Sequence, residues 1–420
     1  MTLRIALVSF EYPPDSGWGG IATYVAQAAT LLKARGHEVE VFASSAKRNT
    51  SVEEQGILVH WIKENNRDDF PIIAGHRIAE RHAVAPFDVL ESPEYYADGR
   101  KAIELLPDLP LVVRLHTPSR LIMDMTWPHP WYYPVKRFKQ LLHSFLMICL
   151  NKSGQVVKVN PKQYWLKIDQ TEQSFTRQAN RVVALCSDLK TFALNSWKIE
   201  ADRIVVSPNV YHPKENFLAI KPNPTRVTFG YFGRLERRKG VDLWVKAIPG
   251  ILKRFPEARF RFVGKSLNYS PGLTYVQWIK QYLKSHLDRI EFVDHVPLSE
   301  MAQQYEQVDV CVFPSRWENF PNVCLEAMSA GKAVIASQFG GMKEMIPDNR
   351  FGLTVDPFNT QELIQAACVL LQDADARFAM GLAARNRVQE EYNQARVGQE
   401  METIYIDAIA HKQQQLLLHA

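Results

Sequence analysis

Phe313-Pro314-Ser315-Arg316-Trp317-Glu318-Asn319-Phe320-Pro321-Asn322-Val323-Cys324-Leu325-Glu326-Ala327-Met328 is the run from which the rest of the chain can be ordered. A short apolar stretch, residues 310–313, stops at a proline, a loop follows, and a helical pattern begins near Asn322. A buried strand that gives way to a loop and then a helix puts that loop at the C-terminal edge of a parallel sheet. Doubly wound folds bind their ligands there. Unpaired N–H groups and the helix dipole favour an anion at such a helix start. Two carboxylates border the loop: Glu318 within it, and Glu326 one turn into an otherwise apolar helix. Carboxylates beside an anion site are costly unless they meet cations or hydroxyls, and a sugar offers hydroxyls that one carboxylate can accept in pairs. The plainer alternatives are a solvated Glu318 and a Glu326 paired with a basic side chain.

Outward from this run, the same alternation fills both halves of the chain. In the first half, residues 4–10, 39–43, 87–91, 111–116 and 181–186 read as strands, and 21–35 as a helix stopped by Gly36. The second half restarts with strands at 227–231, 259–263, 290–293, 310–314 and 333–336, and helices at 241–255 and 322–330. Buried apolar runs separated by helices are the sequence form of a parallel sheet covered on both faces. Between the halves, Ser207-Pro208-Asn209-Val210-Tyr211-His212-Pro213 and Lys221-Pro222-Asn223-Pro224 carry four prolines and read as a linker. At 420 residues, two domains are expected.

A second cluster, Phe229-Gly230-Tyr231-Phe232-Gly233-Arg234-Leu235-Glu236-Arg237-Arg238-Lys239-Gly240, is a strand ending in glycine, then a basic turn before a helix. Basic charge at a helix N-terminus opposes the dipole, so a bound anion makes better sense of it than a solvated loop. Gly233 permits close backbone approach, and Arg234 and Lys239 offer a planar fork and a point charge to a diphosphate.

Together with Gly340-Gly341-Met342-Lys343-Glu344-Met345-Ile346, and with Glu318 and Glu326 in an E-x7-E arrangement, these motifs resemble the retaining glycosyltransferases of family 4. The likeness runs through most of the second half and, more weakly, into the first. It implies a GT-B architecture: α/β, two facing Rossmann-like doubly wound domains with a cleft between them. The expected division is 1–215 on the acceptor side, 216–395 for the donor, and 396–420 as a helix returning to the first domain. The resemblance implies that Arg234 and Lys239 hold the donor diphosphate, that Glu326 meets ribose hydroxyls, and that Glu318 lies by the transferred sugar. Asn319, Phe320, Pro321, Asn322 and Val323 would pass nearby, and Gly19, Gly20 and His116 would close the site from the first domain. A backbone contact to the base at Val296 is implied too. Three positions depart from the pattern: Asn319 and His295 where glycine is usual, and Val210 where the linker turn commonly has one. The activity implied is retaining transfer of a hexosyl group from a nucleoside-diphosphate sugar to an acceptor hydroxyl, with no metal or cofactor. A nucleotide-sugar epimerase on the same architecture is the nearest rival, and an NAD-dependent oxidoreductase a more distant one.

Other features set bounds. A net charge of +5, from 50 basic and 45 acidic residues without a long basic run, gives no reason to expect nucleic acid. Five cysteines without a CxxC pair, and no leader-like or membrane-spanning segment, fit a cytoplasmic protein. Residues 131–150 read as an amphipathic helix of the first domain; peripheral contact with a membrane surface is the alternative. Gly17-Trp18-Gly19-Gly20-Ile21-Ala22 mimics a dinucleotide fingerprint, but Glu11–Ser16 separates it from its strand, so the tight turn is missing. Asp373-Ala374-Asp375 mimics a metal-holding D-x-D and is expected to be a solvated turn.

Overall fold

The computed structural model describes residues 1–17, 19–126, 161–221, 228–297 and 299–419. Strands β1 (Arg4–Ser9), β2 (Glu38–Ser45), β3 (Thr50–Glu54), β4 (Ile57–Lys63), β5 (Val89–Pro93), β6 (Leu111–Leu115), β7 (Arg181–Ala184) and β8 (Ile204–Val206) form one sheet, ordered β3-β4-β2-β1-β5-β6-β7-β8. Its ladders are parallel except for the β3–β4 hairpin. The second sheet contains β9 (Thr228–Phe232), β10 (Arg259–Val263), β13 (Ile290–Val293), β14 (Val310–Phe313), β15 (Ala333–Ser337) and β16 (Leu353–Val355). It is parallel throughout, ordered β13-β10-β9-β14-β15-β16. A small antiparallel ladder pairs β11 (Asn268–Ser270) with β12 (Leu273–Thr274).

Counted by sequence, the second sheet runs third-second-first-fourth-fifth-sixth, and the parallel strands of the first sheet begin the same way. Each sheet therefore reverses direction beside its first strand, between β1 and β5 and between β9 and β14, and opens a crevice there. The strands at these points are covered on both faces. In β1, Ile5 to Ser9 are all buried, as are all five residues of β9 and all four of β14. That is why they read as continuous apolar runs rather than alternating ones.

The apolar patterning of the sequence does not signal the antiparallel hairpin β3–β4. Its turn, Gln55-Gly56, has φ of 52° and 77°, the two positive values a primed hairpin turn needs. A glutamine at the first of them hid the usual Asn-Gly signal. The linker is tightly used: Val210 belongs to the first core while Tyr211, the next residue, belongs to the second. The chain crosses again between Tyr392, in the second core, and Val397, in the first. Helix Gln394–His419 then lies against the first sheet through Val397, Met401, Ile404, Tyr405 and Ala408, one stripe at helical spacing. Arg35 forks onto Glu402 at 2.7 and 2.8 Å, and the Tyr405 hydroxyl donates to buried Glu91 at 2.8 Å.

Cys186, Cys311, Cys324 and Cys368 are free, buried thiols. Among the described residues no helix is long and apolar enough to cross a membrane. The segment 131–150 lies outside the described residues.

Candidate active site

The loops that leave β9 and β14 sit side by side because those strands are neighbours. Gly233 N donates back to Val263 O at 3.0 Å, holding the start of the basic turn to β10. The turn ends at Gly240, which caps helix Val241–Arg254 with φ +68°. A Cβ there would lie 1.8 Å from the Pro314 carbonyl oxygen, so only glycine lets the two loops touch. Arg316 fastens the contact: its N–H donates to Arg238 O at 2.9 Å, and its guanidinium forks onto Asp242 at 2.7 and 2.8 Å.

Glu318 lies in this double loop, 7% exposed, so the solvated alternative fails. Its Oε1 accepts from Arg238 Nη1 at 2.8 Å and is ion-paired with Lys239 Nζ at 2.6 Å. Burial pushes the Glu318 carboxyl up, but Lys239 and Arg238 outweigh it and hold the group below the usual carboxylate range. Arg238 also reaches Glu236 at 3.2 Å. Arg234, expected at the centre, is 58% exposed, and its guanidinium reaches Glu236 Oε1 at 3.2 Å rather than Glu318. The cation that completes the Glu318 pair with Lys239 is therefore Arg238, which the sequence reading did not single out. A turn of six residues between two glycines does not reveal which of its three arginines points inward.

Pro321 is the N-cap of helix Asn322–Ser329, and Asn322 and Val323 are partly buried in its first turn. Phe320 packs on Tyr392, with ring centroids 5.6 Å apart. Glu326 is partly buried one turn on and pairs with a tyrosine rather than a basic side chain. The hydroxyl of buried Tyr305 approaches Glu326 Oε2 at 3.2 Å and Val323 O at 3.1 Å. Burial raises this carboxyl; the Tyr305 hydroxyl and the charge of Lys214 offset part of the rise. Lys239, Ser315, Glu318, Pro321 and Val323 line a void of about 10 Å³, room for one water at most. A larger cavity of about 640 Å³ opens beside it at the edge of β10 and β13, lined by Leu235, Gly264, Lys265, Phe292 and His295 among others. Val296, buried behind it, belongs to the second core.

The first domain faces this edge directly. Asn319 Nδ2 donates to Leu115 O at 3.1 Å and also to His116 O, and its Oδ1 accepts from the Cys186 thiol at 3.6 Å. Ser187 N donates to Glu344 at 2.6 Å, and Gly340 N to Asp188 at 2.8 Å, with Lys343 on the same aspartate. Trp317 packs on the first core. His116 is 8% exposed, its ring 5.3 Å from that of Tyr24. Burial, with Arg114 nearby, pulls its pKa down to about 3, so the imidazole is neutral. Gly19 and Gly20 open helix Gly20–Ala34 and are exposed, Gly19 as its N-cap.

Residues 18–215 match Glycosyltransferase Family 4, and residues 226–373 match Glycosyl transferases group 1. The chain belongs to glycosyltransferase family 4. This glycosyltransferase is 25% identical to D-inositol 3-phosphate glycosyltransferase of Paenarthrobacter aurescens (strain TC1), over 90% of this chain and 91% of that one. It is 22% identical to glycogen synthase of Mycobacterium tuberculosis (strain CDC 1551 / Oshkosh), over 97% and 95%. Sucrose-phosphate synthase from Thermosynechococcus elongatus superposes with a TM-score of 0.69 at 20% identity, covering 100% of both chains. Anabaena HepE, solved in complex with UDP, gives 0.66 at 16% identity, covering 96% and 99%. The fold is GT-B, two Rossmann-like sheets with their carboxyl edges opposed.

Some of this transferase's site lay beyond sequence reasoning. Glu94, wholly buried, accepts from His116 N at 2.8 Å, and Glu172, from a helix 78 positions on, accepts from Ser119 N at 2.8 Å. Burial and mutual repulsion push Glu94 up to about 8, and burial pushes Glu172 up to about 7. The D-x-D decoy is not a plain solvated turn: Asp373 Oδ1 accepts from Ala376 N at 2.8 Å and caps helix Ala374–Glu391.

Proposed function

We propose that this glycosyltransferase moves a hexosyl group from a nucleoside-diphosphate sugar to an acceptor hydroxyl, with retention at the anomeric carbon. The observation that carries the reading is the buried Glu318 carboxylate paired with Lys239 at a helix N-terminus, facing neutral His116 and its loop across the cleft. A diphosphate entering there meets Lys239, Arg234 on the outer turn, and the N–H groups that open helix Val241–Arg254. The base takes the 640 Å³ cavity near His295 and the Val296 backbone, and the ribose hydroxyls meet Glu326, already oriented by Tyr305. Anabaena HepE, solved with UDP-glucose, supports this class of donor.

In this scheme residues 216–395 bind the donor and 1–215 the acceptor, while Gly19 and Gly20 bring amides from the opposite wall. Glu318 holds the hexosyl hydroxyls, and the barrier falls chiefly through positioning and through the cations on the departing diphosphate. Neutral His116 accepts or donates one hydrogen bond to the sugar without carrying charge. No metal is required, since Arg and Lys side chains supply the positive charge. The 10 Å³ void cannot admit a hexose, so donor entry moves the Glu318 loop away from Lys239 or separates the two edges.

A thermal-shift panel of UDP, GDP and ADP sugars with NAD, with EDTA present, tests the reading; the nucleotide that stabilises the fold identifies the base. Transfer from that donor, with the product's anomer read by NMR, completes it. Stabilisation by NAD alone, rearrangement of the sugar with donor alone, or an inverted product would each overturn it.

A further inference from the structure

Glu318 Oε1 carries two cations, and their anchoring differs. Lys239 Nζ has Glu318 as its one ion-pair partner among the described residues, and Lys239 immediately precedes the glycine that caps a helix. Arg238 is held twice, by Glu318 at 2.8 Å and Glu236 at 3.2 Å, and its carbonyl is fixed by Arg316 N. If a diphosphate occupies that helix start, Lys239 is the cation free to turn toward it. A buried carboxylate that lost its last cation would be strongly destabilised or would take up a proton.

We propose that Arg238 is a positioning residue for Glu318: it keeps Oε1 in place and the carboxylate ionised while Lys239 passes from Glu318 to the donor diphosphate. The inference rests on the donor-site reading above. The charged and titratable groups facing Glu318 are Lys239, Arg238 and, from β9, Tyr231; Glu236 and Arg234 lie one contact further out. Tyr231 donates its hydroxyl to Arg234 O and supplies no charge. Among the described residues no donor meets Glu318 Oε2, which leaves that oxygen for a sugar hydroxyl. Arg238 thus acts through Glu318 without touching substrate.

Titration calorimetry of UDP, GDP and ADP at pH 6 and pH 8, in buffers of differing ionisation enthalpy, tests this without an acceptor. In Arg238→Gln, nucleotide binding should take up close to one proton more than in the wild type. Its Kd should accordingly tighten about a hundredfold more between pH 8 and pH 6, because a proton taken up on binding favours the complex at low pH. At pH 8 the Kd of Arg238→Gln should stay within about threefold of the wild type, whereas Lys239→Ala should weaken binding tenfold or more. Arg238→Lys should restore wild-type proton uptake. In Arg238→Gln/Glu318→Gln the extra proton should vanish, and this pair tolerates the loss of Arg238 in folding because no buried charge is left bare. A tenfold loss of affinity at pH 8 in Arg238→Gln would make Arg238 a phosphate ligand and overturn the proposal. Equal proton uptake in wild type and variant would overturn it as well, with the donor site intact. Failure of all three nucleotides to bind the wild type would instead overturn the donor-site reading, and the Arg238 role with it.

Discussion

The two sheet edges that face each other both bury carboxylates, yet they leave them in opposite states. On the second edge, Glu318 has Lys239 and Arg238 within 2.8 Å and is held ionised. On the first, Glu94 and Glu172 are more deeply buried, receive backbone and hydroxyl hydrogen bonds, and lie close enough to repel each other; both are pushed toward neutrality. Burial alone does not decide protonation; the neighbouring charge does. The difference also divides the work. The ionised group is free to accept hydroxyls, while the two raised carboxyls hold loop backbone at His116 and Ser119 with less negative charge than ionised glutamates would bring.

The largest effect should come from erasing the charge on the ionised edge. Glu318→Gln should lower transfer by about 10²–10³-fold, with nucleotide affinity changed less than threefold. Single-turnover rates with the donor identified by the stabilisation panel check this, and a fall in affinity equal to the fall in rate would break the contrast. Next comes the neutral edge. Unfolded, Glu94 ionises near pH 4.5; folded, near 8, so the folded state keeps a proton that the unfolded state has released. Stability from this group is full below 4.5 and is lost as pH rises through 8. His116 works in the other direction, between about 3 and 6.5, and drops out above that range. From pH 6.5 to 8, Glu94 should therefore cost about 2 kcal/mol of stability, and Glu94→Gln should flatten that decline in denaturant titrations. A wild-type stability that stays level over this range would refute the neutral state. The smallest effect should come from a carboxylate that is neither buried nor shared. Asp373→Ala should lose a helix cap worth about 1 kcal/mol and leave the transfer rate equal to that of the wild type, with or without EDTA. Loss of activity would restore the metal-binding reading of the D-x-D.

The sequence carried the second edge well because its parts are local. The strand–loop–helix run with Glu318 and Glu326, and the strand–turn–helix with Lys239, are each continuous, and each obeys the apolar patterning of a covered parallel sheet. What it could not carry depends on distance or on the path of a turn. Asn319 breaks the family pattern, but its service as a bridge to Leu115 and His116 needs two segments more than 200 residues apart. Glu94 and Glu172 are unremarkable in sequence, since neither sits in a motif and their repulsion exists only in the folded chain. The choice of Arg238 over Arg234 depended on how Gly233 and Gly240 route the turn against Pro314.

The chain passes between the two cores twice, at Val210–Tyr211 and again between Tyr392 and Val397. One tether would let the halves swing, twist and slide apart. Two short tethers define a line, and two bodies joined along a line keep essentially one freedom, rotation about it. When the Asn319 and Asp188 contacts release, the edges should part like the covers of a book and meet again in the same register, returning Glu318 opposite His116 on every cycle.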